Sequence, residues 1–354
     1  MCYNALGGVF ILKELIDKLA QNRILERDEF KSLLTTTDPY LHQLAKEVRE
    51  RIFGNKIYTR GLIEFTNYCK NDCYYCGLRV SNASCARYRL SKEDILESCD
   101  IGYELGYRTF VLQGGEDPYF TDEILTDIVR SMKANHPDCA ITLSIGERSH
   151  ESYQNLYDAG VDRYLLRQET TNHSHYATMH PKNMSLQNRL DCLWSLKEIG
   201  FQVGCGFMVG SPGQTLDDIV GDILFIKELD PQMVGVGPFL PHSATPFGDK
   251  SPGSAEMTLN IVAILRLMKP TLLLPATTAL GTIRDDGREL GIMAGANVVM
   301  PNVSPLMERK KYLLYDNKIG TTKNALDSGS DMVRRMEAIG CELAVDRGDY
   351  ADEK

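Results

Sequence analysis

No stretch of this chain approaches the ~20 consecutive apolar residues that a bilayer-spanning helix needs, so no membrane span is expected. A secretory start is missing too: Met1–Phe10 has no basic residue, and the apolar run Val9–Ile16 is short and broken by Lys13 and Glu14. Positive charge is not in excess. The formal net charge of −9 favours solubility and argues against a general nucleic-acid or anionic-membrane surface. There is no fixed-period repeat and no low-complexity linker. Of the ten cysteines, those at 2, 85, 99, 139, 192, 205 and 341 show no framework spacing, so disulfides are not expected. Cys99, Cys192 and Cys205 read as core fillers. A reduced, cytoplasmic protein is the expectation. What the chain does have is length: 354 residues with 43% hydrophobic and 25% charged content, enough for one α/β barrel with extensions.

The remaining three thiols lie within eight residues, in Cys69-Lys-Asn-Asp-Cys73-Tyr-Tyr-Cys76. They follow the β-prone run Ile57–Phe65 directly. Structural zinc usually takes four protein ligands, and an iron–sulfur cube usually takes four thiolates. With no fourth cysteine nearby, C-x-x-x-C-x-x-C suggests a cube with one iron left open. A structural zinc knuckle is the alternative. The spacing resembles the signature of the radical S-adenosylmethionine (SAM) superfamily, in which SAM fills the open position.

Helical periodicity marks 7–20, 26–34 and 39–53, with Asp38 as an N-cap before Pro39. These three helices form a helical extension over 1–55. From Lys56 the pattern becomes strand, turn, helix, repeated. Strands are expected at 57–65, 109–112, 140–144, 163–166, 202–208, 233–239, 272–275 and 297–300. Cap signals open several intervening helices: Ser91-x-x-Asp94, Ser185 and Thr215-x-x-Asp218. Eight strands alternating with helices predict a complete (β/α)8 TIM-type barrel over 56–304, with 305–354 wrapping onto it.

In such barrels chemistry sits on the loops that leave the C-terminal strand ends. The unusual residues fall there: the cysteines, Gly114-Gly115-Glu116-Asp117-Pro118, Ser144, Gln168-Glu169-Thr170, Gly210-Ser-Pro-Gly213-Gln214, Pro241-His242 and Ala276-Thr277-Thr278. Strand four alternates so that Arg163, Leu165, Arg167 and Glu169 share one face. Arginines against the helix layer would be costly, so a polar lumen holding an anionic substrate is one reading, and an internal Arg–Glu pair fixing the barrel is the other. Gly114-Gly115-Glu116 is either a plain turn or a close backbone approach to SAM, with Glu116 receiving an ammonium group. Gly204-x-Gly206-Phe-Met208-Val-Gly210 either admits an adenine edge or marks tight packing. Arg189 is a surface arginine or a partner for a carboxylate. His173, His175 and His180 read as loop and surface residues.

Longer strings narrow the resemblance. Ile63-Glu-Phe-Thr-Asn67-x-Cys69, Tyr74-Tyr75-Cys76-Gly-Leu-Arg79, Arg87-Tyr-Arg89, Val111-Leu-Gln-Gly-Gly-Glu-Asp-Pro-Tyr119, Asp162-Arg-Tyr-Leu-Leu-Arg-Gln-Glu-Thr170 and Pro275-Ala-Thr-Thr-Ala-Leu-Gly-Thr282 resemble the HydE family of radical SAM maturases of [FeFe]-hydrogenase. The likeness runs from about Phe53 to Tyr315. Methylornithine synthase and, further off, biotin synthase are related families.

The resemblance implies that Cys69, Cys73 and Cys76 hold a [4Fe–4S] cluster whose open iron is chelated by S-adenosyl-L-methionine. Tyr75 and Met208 would lie near adenine, Gly115 and Glu116 at the methionine amino group, and Arg189 at its carboxylate. Ser144 and Glu169 would touch the methionine or ribose portion. Thr142, Arg163, Arg167, Thr277, Thr278 and Tyr312 match positions that line the family's anion-binding cavity. Some members carry an accessory cluster on three C-terminal cysteines; Asn317–Ser330 has none, so that cluster should be absent. Implied partners are an electron donor such as ferredoxin or flavodoxin, other hydrogenase maturases, and a small anionic or organometallic substrate. Two rival functions stand beside this: a lysine mutase making 3-methylornithine, and a non-catalytic iron–sulfur carrier.

Overall fold

The computed structural model describes residues 4–352, with side chains from Leu12 onward. Cys2 lies outside the described residues. Among the described residues there are eleven strands: β1 (Lys56–Thr59), β2 (Gly61–Thr66), β3 (Thr109–Gly114), β4 (Ala140–Ser144), β5 (Arg163–Leu165), β6 (Gln202–Cys205), β7 (Met208–Val209), β8 (Met233–Val234), β9 (Gly237–Pro238), β10 (Val298–Val299) and β11 (Glu342–Ala344). A six-stranded parallel sheet has the order β2-β3-β4-β5-β6-β8. β10-β1-β11 and β7-β9 form two smaller parallel sheets. The central strands are apolar on both faces, as in Thr109–Leu112, which is wholly buried, because parallel strands are covered on both sides.

Helices occupy the intervals between strands, and the expected caps form. Ser91 and Thr215 each close a capping box with the aspartate three residues on, and the Ser185 side chain accepts from Asn188 N–H. The N-terminal helices Asn4–Asn22, Arg27–Leu34 and Tyr40–Phe53 are also where the periodicity put them. They pack on the helix Ala255–Met268, most of whose residues are buried. One core cluster runs from Ile16 to Cys341 and joins this extension to the sheet. Cys99, Cys192 and Cys205 are buried in it.

The sequence reading needs several corrections here. The runs 202–208 and 233–239 are each two short strands, β6 with β7 and β8 with β9, and the run 57–65 is likewise two, not one. It breaks at Arg60, whose N–H goes to Val299 O (3.0 Å) while Gly61 packs closely on Phe110. The run 272–275 makes only isolated parallel bridges, Met233 to Leu273 and Pro275 to Val298. Its ladder is interrupted because the Asn297 side chain takes Leu274 N–H at 2.8 Å and Pro275 has none to give. A further bridge, Leu62 to Asn302, links β2 to the chain after β10. Finally, β11 was not expected; the three-residue run Glu342-Leu343-Ala344 carries no strand signal, and it forms by pairing with β1.

Candidate active site

The cysteine loop leaves the C-terminal end of β2 and is tied down along its length. Lys70 N–H donates to Glu116 O (2.9 Å), Tyr74 N–H to Met179 O (2.9 Å) and Gly77 N–H to Leu314 O (2.9 Å). Arg79 forks onto Asp72, with Nε to Oδ1 at 2.7 Å and Nη2 to Oδ2 at 2.5 Å. Arg87 donates to four carbonyls around the loop, those of Asn67, Leu78, Arg79 and, at 3.5 Å, Asn82. The Asn67 side chain closes the set: Oδ1 takes Tyr88 N–H (2.7 Å), and Nδ2 donates to Ala86 O and Lys311 O (both 2.9 Å). Sequence reasoning assigned Asn67 and Arg87 no role; they are the braces of the loop. Gly115 is its floor. A Cβ there would stand 2.2 Å from Tyr68 O and 2.7 Å from Cys69 Cβ, so its bareness serves loop packing.

The three cysteines line a cavity of about 350 Å³ at the C-terminal ends of the strands. Tyr75, Gly115, Glu116, Ser144, Glu169, Arg189 and Met208 line the same cavity, as do Arg167, Thr277, Thr278 and Tyr312. In the ladder, Glu64, Gln113 and Ser144 stand in one row across β2, β3 and β4, so Glu64 and Gln113, which the sequence did not single out, also face it. Glu64 is fully buried and pairs with Lys318 Nζ. Asn302 Nδ2 supports its other oxygen at 2.8 Å. Gln113 Nε2 donates to Tyr312 Oη at 3.3 Å.

Two more acid–base pairs border the space. Arg167 holds Glu169 Oε1, with Nε at 2.9 Å, and Glu169 Oε2 is buried without a hydrogen bond. Arg189 Nε lies 2.6 Å from Glu147 Oε1 and Nη2 3.8 Å from Glu116 Oε1, close in charge but off the hydrogen-bond direction. Burial pulls the Arg189 guanidinium down, but Glu147, with Tyr176 and Glu116, outweighs it and keeps the group protonated. Glu116 is further held by Lys70 at 3.3 Å. Gly146, with φ +81°, leaves its side-chain space to Glu116, which would otherwise be struck at 2.0 Å.

Burial raises all three cysteine thiols: Cys69 is pushed up, Cys73 well up with Cys76 and Cys69 adding to it, and Cys76 to about 12. Among the described residues no three His, Cys, Asp or Glu side chains are gathered tightly enough for one metal ion. A cube makes a different demand, since each thiolate binds a separate iron. Three half-buried thiols that line one cavity from one braced loop fit that demand, because bound iron removes the thiol protons outright. Tyr75 and Met208 on the cavity wall belong to an apolar cluster with Met179, Phe239 and Phe247.

Three placements differ from the sequence reading. Arg163 faces inward, as alternation requires, but sits below the cavity. Its guanidinium bonds Thr109 Oγ1 (2.9 Å), Arg347 O (3.0 Å) and Asp349 Oδ1 (2.6 Å), so the C-terminal segment consumes it. Thr142, beside Arg163 in the ladder, is likewise not at the cavity wall. His175 and His180 are buried, not surface residues. His180 Nε2 lies 3.3 Å from Tyr75 Oη, and burial lowers its pKa to about 3, so it backs Tyr75 as a neutral ring. The glycines after β6 mark tight packing: a Cβ at Gly206 would meet Gly235 O at 2.0 Å.

Comparison with known proteins gives this geometry a family. A profile described as the Radical SAM superfamily matches residues 63–226, which include all three cysteines. The [FeFe] hydrogenase maturase subunit HydE of Thermotoga maritima is 44% identical over 340 residues, 95% of this chain and 97% of the relative. The 3-methylornithine synthase of Methanosarcina acetivorans is 29% identical over 93% of both. A crystal structure of methylornithine synthase (PylB) superposes with a TM-score of 0.80 at 28% identity, covering 93% of this chain and 97% of that one. The 44% identity to the Thermotoga maritima maturase along nearly the whole length means that the chain belongs to the HydE family of radical SAM enzymes, which implies a [4Fe–4S] cluster and SAM as its cofactors.

Proposed function

We propose that this enzyme acts in maturation of the [FeFe]-hydrogenase active site. Its substrate would be a small sulfur-containing, cysteine-bound iron carbonyl–cyanide precursor held in the cavity. The observation that carries this reading is that fourteen of the sixteen residues to which the resemblance gives a role, the three cysteines among them, border one space. We infer that the strands close into a complete (β/α)8 barrel, supported by the parallel bridges at Leu273, Pro275 and Asn302, with 1–55 as a helical extension and 305–354 as a wrap.

Cys69, Cys73 and Cys76 would hold the cluster, and the bound cluster and SAM would together supply reductive cleavage of the sulfonium to methionine and a 5′-deoxyadenosyl radical. Glu116 would accept from the methionine ammonium, oriented by Lys70 and by the space left at Gly146. Arg189, kept charged by Glu147, would take the carboxylate. Ser144 and Glu169 would bond the methionine or ribose portion, and Tyr75 and Met208 would cover the adenine. Arg167, Thr277, Thr278 and Tyr312 would hold the anionic groups of the substrate. The buried walls exclude water, which a carbon radical would otherwise meet. A low-potential ferredoxin or flavodoxin would supply the electron, and other maturases would exchange substrate and product with it in the cytoplasm.

The test is anaerobic reconstitution with iron and sulfide, then SAM and dithionite. The expected result is 5′-deoxyadenosine, lost in Cys73→Ser while the circular dichroism of the fold persists; turnover by that variant would contradict the assignment. Restored hydrogenase activity on adding the enzyme to a maturation mixture lacking it would establish the pathway. The likeness to methylornithine synthase favours a second reading, a lysine mutase. Incubation with lysine, SAM and reductant decides between them.

A further inference from the structure

Behind Glu169, on the side of β5 away from the cavity, the helix Leu216–Leu229 carries a carboxyl group that the proposed chemistry does not use. Asp222 is fully buried, and neither of its oxygens is in a formed hydrogen bond. Gln168 is equally buried, and its Nε2 also makes none. The two groups stand next to each other in the helix–sheet layer, with Thr171 as the other polar neighbour of the carboxyl.

Gln168 is tied to the cavity side through the backbone. Its Oε1 takes Gly206 N–H at 2.8 Å, and Gly206 O takes Glu169 N–H at 3.1 Å. Glu169 itself has φ +66°, a left-handed conformation that a residue with a Cβ adopts only when its surroundings impose it. The two bonds through Gly206 are what imposes it. They send Gln168 back to the helix and Glu169 forward into the cavity.

We propose that Asp222 is a positioning residue for Glu169: its carboxyl accepts from the Gln168 amide N–H and, through Gln168, locks the Gly206–Glu169 backbone pair that aims Glu169 at the ligand. The proposal rests on the reading of Glu169 as a contact to SAM. Its surroundings favour the neutral form. Asp218, one turn earlier, is held below the usual carboxylate range despite its burial, by Thr215 and Asn172. Cys205 on β6 has its thiol pushed up, by burial and then by Asp222. From the helix packed outside, Arg27 and Lys31 reach Asp217, not Asp222. Burial, with Asp218 adding to it, therefore pushes the Asp222 carboxyl up to about 8, against the pull of Thr171 and Gln168.

The experiment titrates cluster-loaded enzyme with S-adenosylhomocysteine, which binds without being cleaved, at about pH 7 and about pH 9. Wild-type affinity should weaken roughly tenfold between the two, because a carboxylate ionised in this dry layer must draw in water and leave its place beside Gln168. Asp222→Asn should bind equally at both, and Asp222→Ala should bind weakly at both. In cluster-free protein, amide exchange at Gly206 and Glu169, corrected for its intrinsic pH dependence, should quicken in Asp222→Ala and in wild type at the higher pH, and stay slow in Asp222→Asn. A wild-type affinity loss that persists in Asp222→Asn overturns the proposal, as does an Asp222→Ala variant that melts earlier yet binds normally. If the probe binds no form but exchange behaves as described, the SAM reading fails and the positioning role of Asp222 stands.

Discussion

Replacing Gly115 by alanine separates two explanations for a bare backbone at the mouth of the cavity. If the glycine is there for a ligand, an added methyl blocks SAM and leaves the protein otherwise intact. If it is there for the cysteine loop, the methyl acts on the protein first. The geometry favours the second. The new Cβ would lie 2.2 Å from Tyr68 O and 2.7 Å from Cys69 Cβ. The Tyr68–Cys69 backbone would have to retreat by about 1 Å to regain ordinary van der Waals separation. It is poorly able to retreat, because Lys70 N–H is bonded to Glu116 O at 2.9 Å in the next turn of chain. Overpacking of this kind costs about 1–3 kcal/mol, and a ligand displaced by about 1 Å from its place can cost on the order of 100-fold in turnover. The expected phenotype is a lower melting temperature and less than full iron incorporation on anaerobic reconstitution. Gly213→Ala is the control, since a Cβ there meets nothing within 4 Å and only its φ of +83° is strained. Gly115→Ala protein that melts normally and holds full iron, but no longer binds SAM, would refute the packing argument and restore the ligand one.

Other perturbations test other parts of the molecule. Lys318→Met strips fully buried Glu64 of its ion-pair partner, leaving the Asn302 side chain as a hydrogen-bond donor to it; breaking such a pair costs about 3–5 kcal/mol, and Lys318→Met with Glu64→Gln should recover most of it in a chemical denaturation series. Asp222→Asn should be more stable than wild type at neutral pH. The carboxyl has its pKa raised from 3.8 to about 8 in the folded state, so the wild type has its full stability below about pH 4 and loses it as pH rises towards 8. At pH 7 the gap is at most about 4 kcal/mol at 1.36 kcal/mol per unit, and melting curves at about pH 5 and pH 7 should show it widening; a gap independent of pH would contradict the buried neutral carboxyl.

Much of the site was legible because its chemistry is local in sequence. C-x-x-x-C-x-x-C, Gly-Gly-Glu and the alternating Arg167-x-Glu169 each lie on one loop or strand end, and the strand–helix rhythm places those ends together. What was not legible depends on partners far along the chain. Arg163 faces inward like Arg167, and no local pattern says that Asp349, 186 residues away, occupies it. Glu64 sits in an unbroken run of buried positions in β2, and its partner Lys318 is separated by 254 residues. His175 and His180 looked superficial because they follow a loop; the short helix His173–Met179 turns them inward. Strand boundaries failed where side chains took over ladder bonds, as Asn297 does at Leu274.

The charge balance of the cavity also changes how its arginines should be understood. An arginine-lined space suggests a plain attraction for anions, yet three cations border the cavity, Arg167, Arg189 and Lys318, and so do three carboxylates, Glu64, Glu116 and Glu169. Each cation already has an acid beside it. An isolated buried cation would lower its own charge or draw in a counter-ion; a paired one keeps its charge and its direction without a ligand. An incoming anion therefore gains only what the standing carboxylate gives up. A group bearing both signs gains from both partners at once, so the arrangement discriminates for zwitterionic ligands over simple anions.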